Sequence, residues 1–138
     1  MTPFVYEITV RFGQVDPARV VYFARMYEMA HEAFEELMNA AGLPLGPLFE
    51  NSDWGMPLVH TEARYRRPWR LGEVVRVEGR VIKLSERSVQ FEYSFVDANK
   101  QVRTTVGMRH AFVSLKTFKP QSVPESFRLA MQSMGLIA

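Results

Sequence analysis

The sequence predicts an α+β fold in which a five-stranded antiparallel sheet wraps around one long α-helix, with a short helix at the C-terminus. Three observations support this prediction. An apolar stripe with helical spacing runs from Val20 to Ala41, five other segments have strand-like composition, and no βα unit is repeated. Repeated βα units are typical of parallel sheets, so the strands are expected to be antiparallel and to curl around the helix.

The composition suits one domain over residues 1–138. Hydrophobic residues make up 47% and charged residues 23%, which is enough apolar material to bury a core. The net charge of +2 argues against a nucleic-acid partner. No segment approaches the roughly 20 apolar residues of a transmembrane helix, and no signal peptide is recognisable, so no membrane partner is expected. The absence of cysteine excludes disulfides and suits the cytoplasm.

The first strand is predicted from Phe4 to Phe12, where apolar residues occupy every second position. Glycine and proline between Gly13 and Pro17 break this pattern. Because a residue before proline is disfavoured in the helical conformation, Asp16 is expected in an extended or turn conformation.

The helix is predicted to begin soon after Pro17 and to end before Gly42 and Pro44. Its apolar stripe consists of Val20, Phe23, Tyr27, Ala30, Phe34, Leu37 and Ala41. An irregular segment from Leu43 to Gly55 follows, with one helical turn predicted near Leu48.

Four further strands are predicted, and they are expected to lie side by side in chain order. Their ranges are Met56 to Trp69, Glu73 to Leu84, Arg87 to Asp97 and Val102 to Leu115. The last helix, Glu125 to Met134, is expected to cover a sheet edge. Such an arrangement is the hotdog fold, and its open edges predict at least a homodimer or a homotetramer.

The segment FGQVDPARVVYF, Phe12 to Phe23, resembles the 4-hydroxybenzoyl-CoA thioesterase family. In that family an aspartate closes the loop after the first strand, and an apolar-aromatic run opens the helix. The likeness continues through Met29 to Glu35, Pro57 to His60 and the turn with Pro68 and Gly72. The helix and the second of these segments look most like the branch that hydrolyses 1,4-dihydroxy-2-naphthoyl-CoA.

The resemblance implies an acyl-CoA thioesterase in which Asp16 is the nucleophile or a general base towards water. It also implies that the backbone amide of Phe23, beside Tyr22, polarises the thioester carbonyl, since N–H groups at a helix start lack internal acceptors. An aromatic acyl group such as 4-hydroxybenzoyl or 1,4-dihydroxy-2-naphthoyl is favoured. No metal or other cofactor is implied, because coenzyme A is part of the substrate. Arg19 departs from the family, whose members commonly have glycine there.

Tyr22 and five further residues are candidates for substrate binding. His31 is a candidate for a ring hydroxyl or a water molecule, and His60 for a pocket or a subunit interface. Lys83, Arg87 and Ser88 match the region where related enzymes hold the phosphates of coenzyme A, for which cationic side chains are suited. The three histidines lack the close spacing of a metal site.

Each assignment has a structural alternative. Asp16 also suits a helix cap or a turn, the histidines suit structural positions, and the cations suit a solvated surface. Aromatic side chains, namely Phe23, Tyr27, Phe34 and Tyr65, would line an acyl slot or simply fill the core. The alternative functions are a thioesterase for short aliphatic acyl-CoA or acyl-carrier protein, and a non-catalytic module binding acyl thioesters or RNA. The RNA alternative rests on the mixed cations and aromatics of Arg64 to Arg70.

Overall fold

A computed structural model describes residues 1–138. The strands are β1 (Phe4–Thr9), β2 (Trp54–Gly55), β3 (Leu58–Tyr65), β4 (Val74–Leu84), β5 (Ser88–Val96), β6 (Val102–Ala111) and β7 (Val113–Ser114). The helices are α1 (Phe23–Ala40), α2 (Leu45–Asn51) and α3 (Glu125–Ser133), and a 3-10 turn spans Phe12–Gln14. None of the helices combines the length and the apolar character needed to cross a lipid bilayer.

The main sheet has five antiparallel strands in the order β1-β4-β5-β6-β3, while β2 and β7 form a separate pair. The predicted α+β class, with one long helix against a five-stranded antiparallel sheet, is confirmed. The expectation that the last four long strands lie in chain order is wrong for β3. Because β1 already occupies the free edge of β4, β3 pairs with β6 instead, and the connection 66–73 crosses the end of the sheet.

Two boundaries near the start of the chain differ from the prediction. Strand β1 ends at Thr9, and Phe12 lies in the 3-10 turn with 81% of its surface exposed. Helix α1 begins only at Phe23, because Arg19 is left-handed with φ +69°, Val21 forms a β-bridge with Val15, and Tyr22 is extended. The helical stripe is therefore shifted, and Phe23 is exposed. The buried face of α1 comprises Met26, Met29, Ala30, Ala33, Phe34, Leu37 and Met38.

The sheet closes tightly on α1 at Gly79 of β4. A Cβ atom at this position would lie 3.1 Å from the ring of Tyr93 and 3.8 Å from the side chain of Leu37 in α1. Glycine therefore permits β4, β5 and the helix to meet in one continuous core.

In the later part of the chain, the structure differs from three predictions. The segment expected to be irregular contains α2 and β2, and the last predicted strand is divided into β6 and β7. Helix α3 ends one residue earlier than predicted. The Phe127 ring packs 5.0 Å from that of Phe112, beyond the end of β6, so α3 seals the core there.

Arg103 of β6 fixes the connection between β3 and β4. Its Nε donates to Asp97 Oδ2 at 2.9 Å, and its terminal nitrogens bind Glu73 at 2.9–3.0 Å and the Pro68 carbonyl at 3.1 Å. The guanidinium also lies 4.4 Å from the centre of the Trp69 ring, which is a cation–π contact. One cation thus holds both ends of the 66–73 connection.

The two carboxylates bound to Arg103 have lowered pKa values. For Asp97, a hydrogen bond from the backbone N–H of Gln101 is the main cause of the lowered pKa, and the hydrogen bond from Arg103 is the next. Partial burial alone would raise the pKa of Glu73, but hydrogen bonds from Arg103 and from the backbone N–H of Arg70 outweigh it. A pKa that is lower in the folded than in the unfolded state stabilises the fold above the unfolded pKa and loses that effect as pH falls.

We expect Arg103→Met to lower the melting temperature by roughly 5–10 °C at pH 7, because two carboxylates lose their shared cation. We also expect the variant to lose less stability on acidification below about pH 4.5, the ordinary pKa of Glu73, than the wild type does. Thermal unfolding at pH 7 measures the first effect, and urea unfolding from pH 7 to pH 3 measures the second. Arg128→Met, at an exposed pair with Glu125, is the control. An unchanged acid profile in Arg103→Met would contradict this account.

Candidate active site

Asp16 lies in a loop that is closed by its own backbone. Val15 and Val21 form a β-bridge, and the Asp16 N–H donates to the Val20 carbonyl at 2.9 Å. The Asp16 Oδ1 accepts a hydrogen bond from the Ala18 N–H at 2.8 Å, whereas Oδ2 has no partner. Asp16 is thus a turn residue whose half-buried carboxylate keeps one free oxygen. It is not the helix cap, because Tyr22 occupies that position.

A cleft of about 410 Å³, the Asp16–Phe23 cleft, brings the carboxylate together with the start of α1. The loop contributes Asp16 and Val21, the helix contributes Tyr22, Phe23 and Met26, and the 66–73 connection contributes Trp69. The cleft therefore has a carboxylate at one side and mainly apolar and aromatic walls.

Tyr22 and Phe23, at the start of α1, both line this cleft. Phe23 is the first helical residue, and the side chain of Tyr22 makes no capping hydrogen bond. The N–H groups of the first turn have no acceptor inside a helix and lie at its positive end. They are suited to an oxygen that develops negative charge.

Tyr65, at the end of β3, clamps the first turn of α1. Its hydroxyl donates to the Phe23 carbonyl at 3.0 Å. Burial, followed by the neighbouring Tyr27, raises the pKa of Tyr65 to about 12, so the hydroxyl keeps its proton at neutral pH. Phe23 and Tyr65 both line the Asp16–Phe23 cleft, whereas Phe34 is buried in the core.

The other predicted site residues do not join this cleft within one chain. His31, exposed on α1, lines a separate cleft of about 260 Å³ together with Leu58 and Thr61 of β3. His60 is exposed on β3, with its Nε2 4.0 Å from Glu62 Oε2. A register shift between Leu58 and His60 interrupts the regular pairing of β3 with β6.

Lys83, Arg87 and Ser88 lie at the far end of the sheet. Thr9, at the end of β1, pairs with Val74, at the start of β4. From there β4 runs the length of the sheet to the β4–β5 turn. At the rise of an extended strand this separates the turn from the Asp16 end by about 30 Å. One chain therefore does not bring these three residues to its own Asp16.

Sequence analysis did not single out His110, which is buried on β6. Its Nδ1 lies 2.9 Å from the Met56 carbonyl, and its ring stacks 4.6 Å from that of Phe34. Burial lowers the pKa of His110 to about 4, so the ring is neutral at physiological pH. It belongs to the core behind His31, whose ring is 6.4 Å away.

Four arginines surround Asp16. Arg66 and Arg67 line the Asp16–Phe23 cleft, while Arg19 and Arg70 line a second cleft of about 680 Å³ that shares Asp16, which we call the arginine cleft. None of the four forms an ion pair, and Asp16 is the one carboxylate in either lining. The surroundings of Asp16 are therefore strongly cationic, although the whole chain is nearly balanced.

We expect Arg19→Gly to raise the free energy of unfolding by about 0.5–1 kcal/mol. The left-handed conformation costs a side-chain-bearing residue more than the extra entropy that glycine gives the unfolded chain. Urea unfolding measures the change. Arg19→Ala removes the charge but keeps Cβ, so it should gain nothing. Equal stabilisation by both variants would show that charge, and not backbone conformation, is responsible.

Comparison with known proteins extends over almost the whole chain. The sequence profile of the thioesterase-like superfamily matches residues 10–131. A 1,4-dihydroxy-2-naphthoyl-CoA hydrolase from Prochlorococcus marinus is 29% identical over 135 residues, which cover 93% of this chain and 89% of the relative. The protein of the same name from Synechococcus elongatus is 31% identical over 128 residues, which cover 91% of this chain and 92% of the relative. The crystal structure of a 1,4-dihydroxy-2-naphthoyl-CoA thioesterase from Synechocystis has a TM-score of 0.89 and 25% identity, covering 96% of this chain and 98% of that one.

Proposed function

Because the chain belongs to the thioesterase-like superfamily and has the hotdog fold, we propose that it hydrolyses an aromatic acyl-CoA to the free acid and coenzyme A. Thioester hydrolysis is the activity for which its relatives from Prochlorococcus and Synechococcus are named. The observation that carries the proposal is the cleft that Asp16 and Phe23, the first residue of α1, line together.

Two routes are open to Asp16. As a nucleophile, its carboxylate adds to the thioester carbonyl, the C–S bond breaks, coenzyme A leaves as a thiolate, and water opens the resulting mixed anhydride. As a general base, it takes a proton from a water molecule that attacks the same carbon. On either route the carbonyl oxygen gains negative charge, and the N–H of Phe23 is placed in our proposal to stabilise it. One such donor contributes about 3 kcal/mol in well-studied enzymes.

The local geometry suits this role for Asp16. One carboxylate oxygen is held by the Ala18 N–H, so the other has a restricted direction, which favours reaction with a bound thioester. The exposed aromatic rings of Phe23 and Tyr65 give the cleft flat apolar walls, which favour an aromatic acyl group. Water, a carboxylate and backbone amides suffice for the reaction, so the proposal includes no metal or other cofactor.

We extend the proposal to a homodimer, or a homotetramer of two such dimers. Strand β3 is an unpaired edge, and most of its residues are exposed. If two copies of β3 paired antiparallel, the Asp16 end of one sheet would lie beside the Lys83–Ser88 end of the other. Lys83, Arg87 and Ser88 would then approach a substrate bound by the partner, and His60 would lie in the interface. His31, in the cleft between α1 and β3, would face the same junction.

A cytoplasmic location completes the proposal, with support from the absence of cysteine. The alternative is a non-catalytic module on the same fold. Ligand binding by such a module would not depend on the Asp16 carboxylate, whereas hydrolysis would.

We expect Asp16→Asn to lower kcat for a hydrolysed acyl-CoA by about 100-fold or more, because the amide is neither a nucleophile nor a base. Affinity for coenzyme A should change little, since the substitution preserves shape. Steady-state kinetics and calorimetric titration with coenzyme A measure the two quantities.

Asp53→Asn is the matched control, because this carboxylate is exposed and pairs only with Lys116 at 3.8 Å. It should leave kcat and affinity unchanged. If Asp16→Asn kept wild-type turnover, Asp16 would be a turn residue alone. A wild-type chain that bound acyl-CoA without hydrolysing it would instead support the binding module.

We expect benzoyl-, 4-hydroxybenzoyl- and 1,4-dihydroxy-2-naphthoyl-CoA to give kcat/KM values about tenfold or more above those of acetyl- and butyryl-CoA. The reason is that the larger planar groups bury more surface against Phe23 and Tyr65. A thiol-release assay across the series measures this preference. Inert aromatic thioesters beside rapidly hydrolysed aliphatic ones would support the short-chain alternative.

A further inference from the structure

Two backbone N–H groups at the start of α1 are free, between neighbours that are already bonded. The Tyr22 N–H donates to the Gln14 carbonyl at 3.0 Å, and the Arg25 N–H donates to the Tyr22 carbonyl at 2.8 Å. The N–H groups of Phe23 and Ala24, which lie between these two, make no hydrogen bond within the chain. They are therefore the donors of the first turn that remain available to a ligand.

Tyr65 holds the first turn from outside the helix. Its hydroxyl donates to the Phe23 carbonyl at 3.0 Å, and it comes from the end of β3, 42 residues further along the chain. Both side chains line the Asp16–Phe23 cleft. The bond therefore links the edge strand of the sheet to the helix end beside Asp16.

Each free N–H belongs to a peptide group whose carbonyl is held. The Phe23 N–H shares its peptide group with the Tyr22 carbonyl, which accepts from the Arg25 N–H. The Ala24 N–H shares its peptide group with the Phe23 carbonyl, which accepts from Tyr65. Because a trans peptide group is planar, its N–H points opposite to its carbonyl, so a fixed carbonyl fixes the direction of the donor. A hydrogen bond at the carbonyl also polarises the group and strengthens its N–H as a donor.

The fold itself has little need of this hydrogen bond. Tyr65 is 46% exposed and Phe23 is 56% exposed, so water could satisfy both the hydroxyl and the carbonyl. A hydrogen bond that replaces two bonds to water contributes little net stability. Its main consequence is a first helical turn whose free donors keep a constant direction, which is the arrangement that stabilises a developing oxyanion.

We propose that Tyr65 is a positioning residue for thioester hydrolysis, whose hydroxyl holds the Phe23 carbonyl so that the N–H groups of Phe23 and Ala24 form a pair of donors to the thioester oxygen. This inference rests on the proposed function, which uses the Phe23 N–H alone. The oxygen gains negative charge when Asp16 or water adds to the carbonyl carbon, and it loses that charge when the C–S bond breaks. Tyr65 transfers no proton in either step.

The test is Tyr65→Phe, which keeps the aromatic wall of the cleft and removes only the hydroxyl. Tyr93→Phe is the matched control, because its hydroxyl lies in the core, outside the cleft, and makes no hydrogen bond. Steady-state kinetics with benzoyl-CoA give kcat and KM across a pH series, and calorimetric titration gives the affinity for coenzyme A. Amide hydrogen exchange at Arg25 reports on the first turn of α1.

We expect Tyr65→Phe to lower kcat about tenfold, while KM and the affinity for coenzyme A stay within about twofold of wild type, because the lost effect acts on the transition state. The shape of the pH profile between about pH 5 and pH 9 should not change, since the hydroxyl transfers no proton. Exchange at Arg25 should become faster as the turn loosens. Tyr93→Phe should match the wild type in all four measurements.

Four outcomes would overturn the inference. An unchanged kcat would mean that the hydroxyl is idle in catalysis, and a rise in KM alone would mean that it contacts the substrate directly. An altered pH profile would make Tyr65 a proton donor. A lower kcat with unchanged exchange at Arg25 would show that the effect does not pass through the first turn. Failure of the proposed function is distinguishable, because it appears as a wild-type chain that hydrolyses no thioester and not as a difference between the wild type and Tyr65→Phe.

Discussion

The hydrogen bond from the Val21 N–H to the Trp69 carbonyl, at 2.8 Å, is the contact on which the candidate site depends. Val21 closes the loop that carries Asp16, and Trp69 lies in the connection that supplies the opposite wall of the cleft. Trp69 is in turn fixed by the Arg103 guanidinium and by a hydrogen bond from its Nε1 to Thr104 Oγ1 at 3.2 Å. Segments distant in sequence thus form one site because the sheet anchors both of them.

The sequence indicated most elements because periodicity reports local structure. It placed the long helix and the strands, but not the position of β3, since strand pairing depends on which edge is free in the folded chain. The start of α1 was also missed. Glycine at position 19 would have indicated a left-handed turn. Arginine is common in helices, so Arg19 gives no sequence signal of the left-handed conformation that it adopts.

The candidate site was predictable where it is continuous in sequence. Asp16, Tyr22 and Phe23 belong to one motif, and the structure brings them together in one cleft. Tyr65 was predicted, with Phe23, to line an acyl slot or to fill the core, whereas no local pattern indicates that Trp69 meets the start of α1. Net charge was a poor guide for a related reason. A total of +2 hides the four arginines around Asp16, because the remaining 13 basic residues are matched in number by 14 other acidic residues.

The closed loop around Asp16 also bears on how a ligand would be received. Its backbone hydrogen bonds lie within residues 15–21 and to the Trp69 carbonyl of the 66–73 connection, so the turn is ordered without help from a bound molecule. Association therefore does not have to offset the conformational entropy of folding a flexible segment. A ligand at Asp16 therefore binds to a preformed loop, without induced fit of that segment. Its selectivity depends on the shape and charge of the existing cleft walls.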